Sequence, residues 1–529
     1  MVRGHRPGRR TARAAPASVR LRVDQLLDRP PASPGGAPRP GDDRARSAAP
    51  GHAHPGRTGP GGRRRGRGAA RSRAYAHRAR APAGPRHGRG AGRLPGFLGH
   101  DVVTAEPVRL DRGWTVPGNR WDLLAGVPAA GPPAVSVVVP YFRDQAGLDR
   151  IVAALEAQDH PRELLELVVA DDGSPEPPRL ETALRHRLVR QDDHGFRAAA
   201  ARNLGLAAAE GEVVAFLDGD CVPEPGWLTA LTRLPALAPE ALVVGRREHR
   251  SGGRVLPDPG WLADGYAATA NLLHADDGSW RFMISANLAG HREFLRELGG
   301  FDGSLVGYGG EDWELAARAW SAGALLAHEP AAVVVHDGPD WAGRPEDHRA
   351  QKNAESLALA TRMASRFARP RAFGAPLLTA RLGSGSVPAA LVCVDSLLDA
   401  VPLSVVAVPD VVLRALPSDP RIVRDLPPQR PRPHPGRPVA PWQLELTEPV
   451  RFTGALRDLI DQLGGRPDPP GRVTGQGWEL TSARARARLE RTGQWLFDTV
   501  RADSLTDLEI GAPLPPDPDL EGWFGGWWS

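Results

Sequence analysis

The sequence predicts an α/β fold built on a mostly parallel sheet, and three observations carry that prediction. Residues 135–140, 165–170 and 213–217 are short apolar or β-branched runs, bounded by turn residues as central strands are. Between the first two, Leu148, Ile151, Val152 and Leu155 recur at helical spacing; before the third, residues 195–209 form an alanine-rich helical stretch. Strands alternating with helices give a parallel sheet covered on both faces. Finally, two of the runs end in acidic turns, Asp171-Asp172-Gly173-Ser174 and Asp218-Gly219-Asp220. Ligands of open α/β sheets bind just beyond such strand ends.

Composition bounds the rest. A chain of 529 residues has room for two or three domains, and 41% hydrophobic content supports a sizeable core. The 54 prolines and 60 glycines place long stretches outside it. Residues 1–100 are Arg/Pro/Gly/Ala-rich, as in Gly61-Gly62-Arg63-Arg64-Arg65-Gly66, and are expected to be a disordered basic tail. Arginine clusters attract phosphate. Yet Tyr75 is the only aromatic residue before Phe97, so bases have little to stack on and no nucleic acid is expected as partner. Nucleic-acid binding through this tail stands as the third reading. No apolar stretch there makes a secretory signal. Two cysteines, Cys221 and Cys393, suit a reducing compartment, hence a cytoplasmic protein.

Order begins after Gly131-Pro132-Pro133. A short strand is expected over 184–190 and another over 331–335, with a helix over 347–368. Residues 391–398 and 403–410 read as two further strands. The apolar segment 387–416 contains Asp395, Asp399 and Asp410, so it reads as core and not as a membrane span. Peripheral association with the inner face of the membrane remains open. A Pro/Arg linker follows over 427–441, then helices over 454–463 and 483–491, and an aromatic tail from Trp523 to Trp528. The expected organisation is therefore an α/β domain over 134–345 that bears both acidic turns, a smaller α/β module over 346–510 and a tail over 511–529.

Two clusters of residues carry chemistry. Asp218 and Asp220 are carboxylates one residue apart at a strand end, and they repel unless a cation lies between them. Hard oxygen ligands suit Mg²⁺ or Mn²⁺, which also grips a diphosphate. An Asp-Gly-Asp turn without a metal is the plain alternative. Glu311 and Asp312 head a helix after the glycine-rich Gly307-Tyr308-Gly309-Gly310. The helix dipole favours carboxylates there in any case, but the glycines also let backbone approach a ligand closely.

Taken together, Val135 to Phe142, Val168 to Ser174, Ala201-Arg202-Asn203-Leu204-Gly205 and Phe216-Leu217-Asp218-Gly219-Asp220 resemble family-2 glycosyltransferases. A second set resembles the galactosyltransferase-type C-terminal half shared by polypeptide N-acetylgalactosaminyltransferases and bacterial chondroitin polymerases. It comprises Asn287, Gly299-Gly300-Phe301-Asp302, Gly309 to Leu315 and His336. The resemblance covers residues 134–340 and implies a GT-A nucleotide-sugar-binding domain. It implies an inverting, metal-dependent transfer from a nucleotide sugar, a UDP-sugar, to a hydroxyl of a glycan or other acceptor. Asp312 would be the base and Glu311 would bind substrate hydroxyls. Pro140, Asp171, Asp172, Arg202, Asn203, Asp218, Gly310 and Trp313 would line the donor site, with the Trp313 and Tyr308 rings against a sugar. Asp220, Asp218 and His336 would hold the metal, the imidazole favouring Mn²⁺ over Mg²⁺. Local alternatives remain at several positions: an Asp-Asp-Gly-Ser turn, a solvated Arg202, a loop His336 and a core Trp313. A catalytically silent nucleotide-sugar binder is the second reading of the whole. The C-terminal module faintly resembles the start of a second GT-A unit without an Asp-x-Asp or a Glu-Asp helix start.

Overall fold

The computed structural model describes residues 106–307, 309–337, 349–363, 375–426, 435 and 438–526. The basic tail, Tyr308, Trp341 and the last residues of the aromatic tail lie outside them. So does most of the linker.

The first half of the described residues is built on a nine-stranded sheet. Its principal strands are β1 (Val135–Tyr141), β2 (Leu165–Asp171), β3 (Arg185–Arg190), β4 (Val213–Leu217), β5 (Cys221–Pro223), β6 (Ala241–Ser251), β7 (Asn287–His291) and β8 (Leu325–Asp337). Hydrogen bonding orders them β3-β2-β1-β4-β7-β6-β8-β5. The first four are mutually parallel, as the alternating pattern predicts. β7 runs against both β4 and β6, and β5 against β8, so the sheet as a whole is mixed.

Period-two alternation divides the core between the two faces. Val135, Val137 and Val139 face one way with Ala215 and Leu217, packed on Leu148, Ile151, Leu155 and Trp227. Val138, Val214 and Phe216 face the other way, against Leu206, Phe294, Phe301 and Leu315. Helix α1 (Gln145–Glu156) supplies the first group, and the Asp144 carboxylate caps it by accepting from Gly147 N. Helix α2 (Ala198–Ala208) packs closely because Gly205 lacks a side chain: a Cβ there would stand 2.3 Å from Val138 Cγ1. Helix α3 (Trp227–Leu237) follows β5, and the Trp227 indole donates to Asn287 Oδ1. Helix α4 (Gly260–Ala268) lies beyond β6, and α5 (Glu311–Ser321) precedes β8.

Strand order then places the site. β1 has β2 on one side and β4 on the other, so the sheet changes winding direction between β1 and β4. Asp171, Tyr141 and Asp218 lie at that carboxyl edge, next to Asn287, which pairs with Leu217. β6 and β8 pair out to His249 and His336, and β5 pairs alongside β8.

The C-terminal half has its own core. Its strands are β9 (Leu378–Leu382), β10 (Ser404–Ala407), β11 (Ile422–Val423), β12 (Trp442–Leu446), β13 (Arg472–Gly475), β14 (Trp478–Ser482) and β15 (Thr499–Arg501). They are ordered β11-β10-β9-β12-β14-β13-β15. The first four are parallel and β14 runs against β12. Counted within the half, that is the 3-2-1-4-then-antiparallel order of the first sheet.

One expectation is corrected here. Residues 391–398 are helical, within α7 (Val387–Ala400), and the strand expected there is the preceding β9. Ser386 caps α7 by accepting from Ala389 N, with Pro388 in the first turn. A fully apolar helix and a buried strand share the same composition, and the cap upstream decides between them. Among the described residues, no helix is long and apolar enough to cross a membrane. The helices expected near 350, 454–463 and 483–491 are α6 (Arg349–Arg362), α8 (Ala455–Gly464) and α9 (Ala483–Thr492).

Candidate active site

The Asp218 carboxylate follows the last residue of β4, and its backbone N–H donates to Ala286 O at 3.2 Å. Its Oδ1 accepts from Arg202 Nη2 at 2.5 Å, and Arg202 Nη1 donates to Glu311 Oε1 at 2.9 Å. One guanidinium thus ties the strand-end motif to the first residue of α5. Arg202 is buried and lies 5.4 Å over the Phe301 ring, which rules out the solvated arginine that its sequence allowed. Burial works against its charge, but Asp218 and Glu311 outweigh it and raise its pKa. A single surrounded cation between two carboxylates is a rigid fork, which lysine cannot reproduce.

Asn203 is placed otherwise than expected. Its Nδ2 donates to Phe301 O at 2.8 Å and its Oδ1 accepts from Phe301 N at 2.7 Å. Both ends of the amide are therefore spent on the Gly299-Gly300-Phe301-Asp302 turn, where it positions backbone and not ligand. Asp171 and Asp172 are likewise engaged by the chain. Asp171 is fully buried, with Oδ1 accepting from Ser174 N and Oδ2 3.2 Å from Arg190 Nη1. Asp172 accepts from Gln191 Nε2 at 2.6 Å and from Arg197 N at 2.8 Å. Their carboxylates set the loop beside Pro140, close to the Asx-turn alternative.

Asp220 and His336 meet. Oδ2 of Asp220 stands 3.2 Å from His336 Nε2, and 58% of the Asp220 side chain is exposed while His336 is buried. Desolvation pushes the carboxyl up, but the His336 hydrogen bond and charge override it and bring it to about 2. Register explains the meeting: His336 lies opposite Cys221 on β5 and His249 on β6, with the two imidazole rings 5.0 Å apart. Asp218 is turned to Arg202, and among the described residues no three His, Cys, Asp or Glu side chains converge as a metal cage. The donor set still fits an ion. Two ligands bound at about 2.0–2.2 Å and at right angles lie about 3 Å apart, which is the spacing of the Asp220 oxygen and the His336 nitrogen. A carboxylate with an imidazole suits Mn²⁺.

Asp312, half-buried as the second residue of α5, accepts from Trp313 N at 2.8 Å. Burial and then the charge of Glu311 raise its carboxyl to about 7, against the pull of Arg202 and of the Trp313 and Ser285 N–H groups. That is the range in which a carboxylate exchanges protons near neutrality. Gly310 precedes α5 at φ 93°, and a Cβ there would meet Glu355 Cγ at 3.1 Å and Leu359 Cδ1 at 3.3 Å on α6. Trp313 packs edge-on to Trp280, with centroids 5.3 Å apart, against the second core. The core alternative describes that contact.

A family model described as Glycosyl transferase family 2 matches residues 136–299, which contain β1 to β7 and both acidic turns. That stretch is a family-2 glycosyltransferase domain. The chain is 32% identical over 259 residues to a pre-mycofactocin glycosyltransferase of Mycobacterium tuberculosis, covering 46% of this chain and 51% of that one. It is 30% identical over 257 residues to a validoxylamine A glucosyltransferase of Streptomyces hygroscopicus, covering 43% and 55%. To a chondroitin synthase of Escherichia coli it is 27% identical over 254 residues, covering 41% and 37%. The chain thus spans about half the length, or less, of these relatives. The match to the family-2 model ends before α5, so Glu311, Asp312 and His336 lie outside it, and the Arg202 bridge and the Asp220–His336 contact tie them to the matched stretch. No motif in the sequence announced the Arg202 bridge; the charge pairing became visible only once α2 and α5 were placed side by side.

Proposed function

We propose that this protein is a metal-dependent, inverting glycosyltransferase that moves a sugar from a nucleotide sugar, a UDP-sugar, to a hydroxyl acceptor. The single observation carrying this reading is the Asp218–Arg202–Glu311 bridge, which joins the strand-end acidic turn to the helix start bearing Asp312. Glycosyltransferases are what its relatives are named for.

In this reading Asp220 and His336 hold Mn²⁺ or Mg²⁺, and Asp218 faces the donor ribose. When bound, the ion offsets charge gathering on the departing diphosphate. The chain's own residues supply the rest. Asp171 and Asp172 act by fixing the loop beside the donor, since both carboxylates are bonded within the chain. Asp312 accepts the acceptor hydroxyl's proton as that oxygen attacks the anomeric carbon from the face opposite the diphosphate. Its raised pKa makes it a better base than an ordinary carboxylate and leaves it ionised often enough near neutrality. Glu311, held by Arg202, hydrogen-bonds substrate hydroxyls. The C-terminal half, with its repeated strand order, is a degenerate second unit: Leu446 ends its counterpart of β4 and leads into Thr447-Glu448-Pro449, with no Asp-x-Asp.

A panel of nucleotide sugars with Mn²⁺ and simple glycoside acceptors, scored by nucleotide released and by NMR of the product, tests the reading. From an α-linked donor the product is β-linked, and release stops in EDTA. An α-linked product or full turnover in EDTA would overturn it.

A further inference from the structure

Beside the site is a cleft that the reading above leaves unused. It lies between β6, β7 and α4, and its lining includes Arg246, Asp258, Leu262, Tyr266, Ile284 and His328. It adjoins the candidate centre on two sides. Ala286 lines it and accepts from Asp218 N, and His249 lines it with its ring against His336. The residue before Ala286, Ser285, has its backbone N–H on Asp312.

Two buried acceptor atoms in this lining have no hydrogen-bond partner among the described residues: His328 Nε2 and Asp258 Oδ1. His328 is only 8% exposed. Its ring stacks flat on Tyr266, centroids 3.6 Å apart and planes 4° from parallel, and Nδ1 lies 2.9 Å from Asn271 Oδ1. With an amide oxygen facing Nδ1, the ring proton sits there and Nε2 carries a bare lone pair. Burial lowers the imidazole to about 4, so it stays neutral at pH 7. Arg246 Nε stands 3.4 Å from Asp258 Oδ2, which balances that carboxylate and leaves its other oxygen free to accept. A buried acceptor without a donor costs about 1–3 kcal/mol, and two of them in one cleft call for a ligand rich in donors. Leu262, Ile284 and Val244 give the same cleft an apolar wall.

The geometry points to this cleft as the acceptor subsite, taking an uncharged polyhydroxylated ring, a sugar or a cyclitol. Two ring hydroxyls donate to His328 Nε2 and Asp258 Oδ1, and the ring's C–H face lies on the apolar wall. Few polar groups that fix orientation within an apolar lining are the usual make-up of such sites. Arg246 in the lining is already paired with Asp258 and Glu248, and an open-chain diol would lose more conformational freedom than a rigid ring in meeting both acceptors. The inference rests on the glycosyltransferase reading, which it deepens by naming the acceptor class.

Saturation-transfer NMR on the full chain tests it, with methyl β-D-glucopyranoside and myo-inositol as probes and hexane-1,6-diol as control. UDP binding with Mn²⁺ is measured in parallel by calorimetry. Both ring probes are expected to bind and the diol is not. His328→Phe, which keeps the stacking, and Asp258→Ala should each weaken ring binding about tenfold, the loss of one such hydrogen bond. Ala263→Trp, an exposed position at the mouth, should abolish it. Melting temperatures check that each variant is folded. Absent ring binding, equal binding of the diol, or ring affinity untouched in all three folded variants would overturn the cleft's assignment. Loss of UDP binding in the wild-type protein is a failure of the donor reading, and it is read on the calorimeter whatever the NMR shows.

Discussion

At the scale of single residues, the site turns on which charges share which neighbours. Asp312 is raised to about 7 by burial and by Glu311, and Arg202 pulls it back. A base works in its deprotonated form, so turnover should rise with pH through about 7 and level off above it. The neighbours then move that limb in opposite directions. Glu311→Gln removes a repelling charge, so Asp312 ionises more readily and the limb shifts to lower pH. Arg202→Met removes an attracting charge and shifts it to higher pH, and it also leaves Asp218 and Glu311 uncompensated. Breaking such a buried arrangement costs about 3–5 kcal/mol, which urea denaturation reads directly. Asp312→Asn should cut kcat by about 10²–10⁴-fold, the span of a general base, with donor affinity near wild type. A limb that stays in place in both neighbouring variants would remove Asp312 from the role. Asp220→Ala is the contrasting case. Its side chain is largely exposed and packs on little, so the melting temperature should hold while divalent-ion-dependent UDP binding is lost.

At the scale of elements, α5 carries Glu311 and Asp312 of the proposed mechanism, and it is held at both ends. Gly310 begins it at φ 93°, tight against Glu355 and Leu359 of α6. Replacing Gly310 by alanine imposes a left-handed conformation costing roughly 1–2 kcal/mol and pushes on α6 besides. The expected result is a lower melting temperature with a larger fall in kcat than in donor affinity, because the helix start carries Asp312. At its far end, Arg491, Arg488 and Arg484 of α9 donate to the carbonyls of Ala322, Gly323 and Ala324. Cations beside the C-terminal end of a helix are favoured by its dipole. Arg484 also lies 3.7 Å over the Trp320 ring. Helix α5 is therefore gripped by the other half of the chain.

At the scale of the whole molecule, that grip helps hold the described residues in one compact unit despite two sheets and separate cores. Arg488 has no exposed surface. It donates to Thr115 Oγ1 at 2.5 Å and to Val116 O, and lies 3.6 Å from the buried Glu240. Arg488→Met would strand Glu240 in the core, so a loss of about 3–5 kcal/mol is expected. Both halves should then unfold at lower urea. Two separated transitions, with the catalytic half unchanged, would show that the halves do not support one another.

The sequence by itself determined the four parallel strands of the first sheet, the first helices and the acidic turns, because apolar periodicity and turn chemistry are local, whereas the antiparallel strands Ala241–Ser251 and Asn287–His291 went unread. The order Val-Ser-Val-Val-Val, the spacing of Leu148, Ile151, Val152 and Leu155, and Asp218-Gly219-Asp220 need no distant partner to be read. Where local signals were ambiguous, local reading failed: residues 391–398 are as apolar as a buried strand, and only the Ser386 cap and packing of α7 make them a helix. Tertiary structure alone decided who meets whom. Arg202 looked like any helical arginine until α2 set it between Asp218 and Glu311, and Asn203, one residue on, was turned onto the Phe301 backbone. His336 reached Asp220 through the register of β8 with β5, and His328 came to line a cleft by stacking on Tyr266. Burial and charge pairing are sums over neighbours far apart in the chain, so they exist only once the chain has folded.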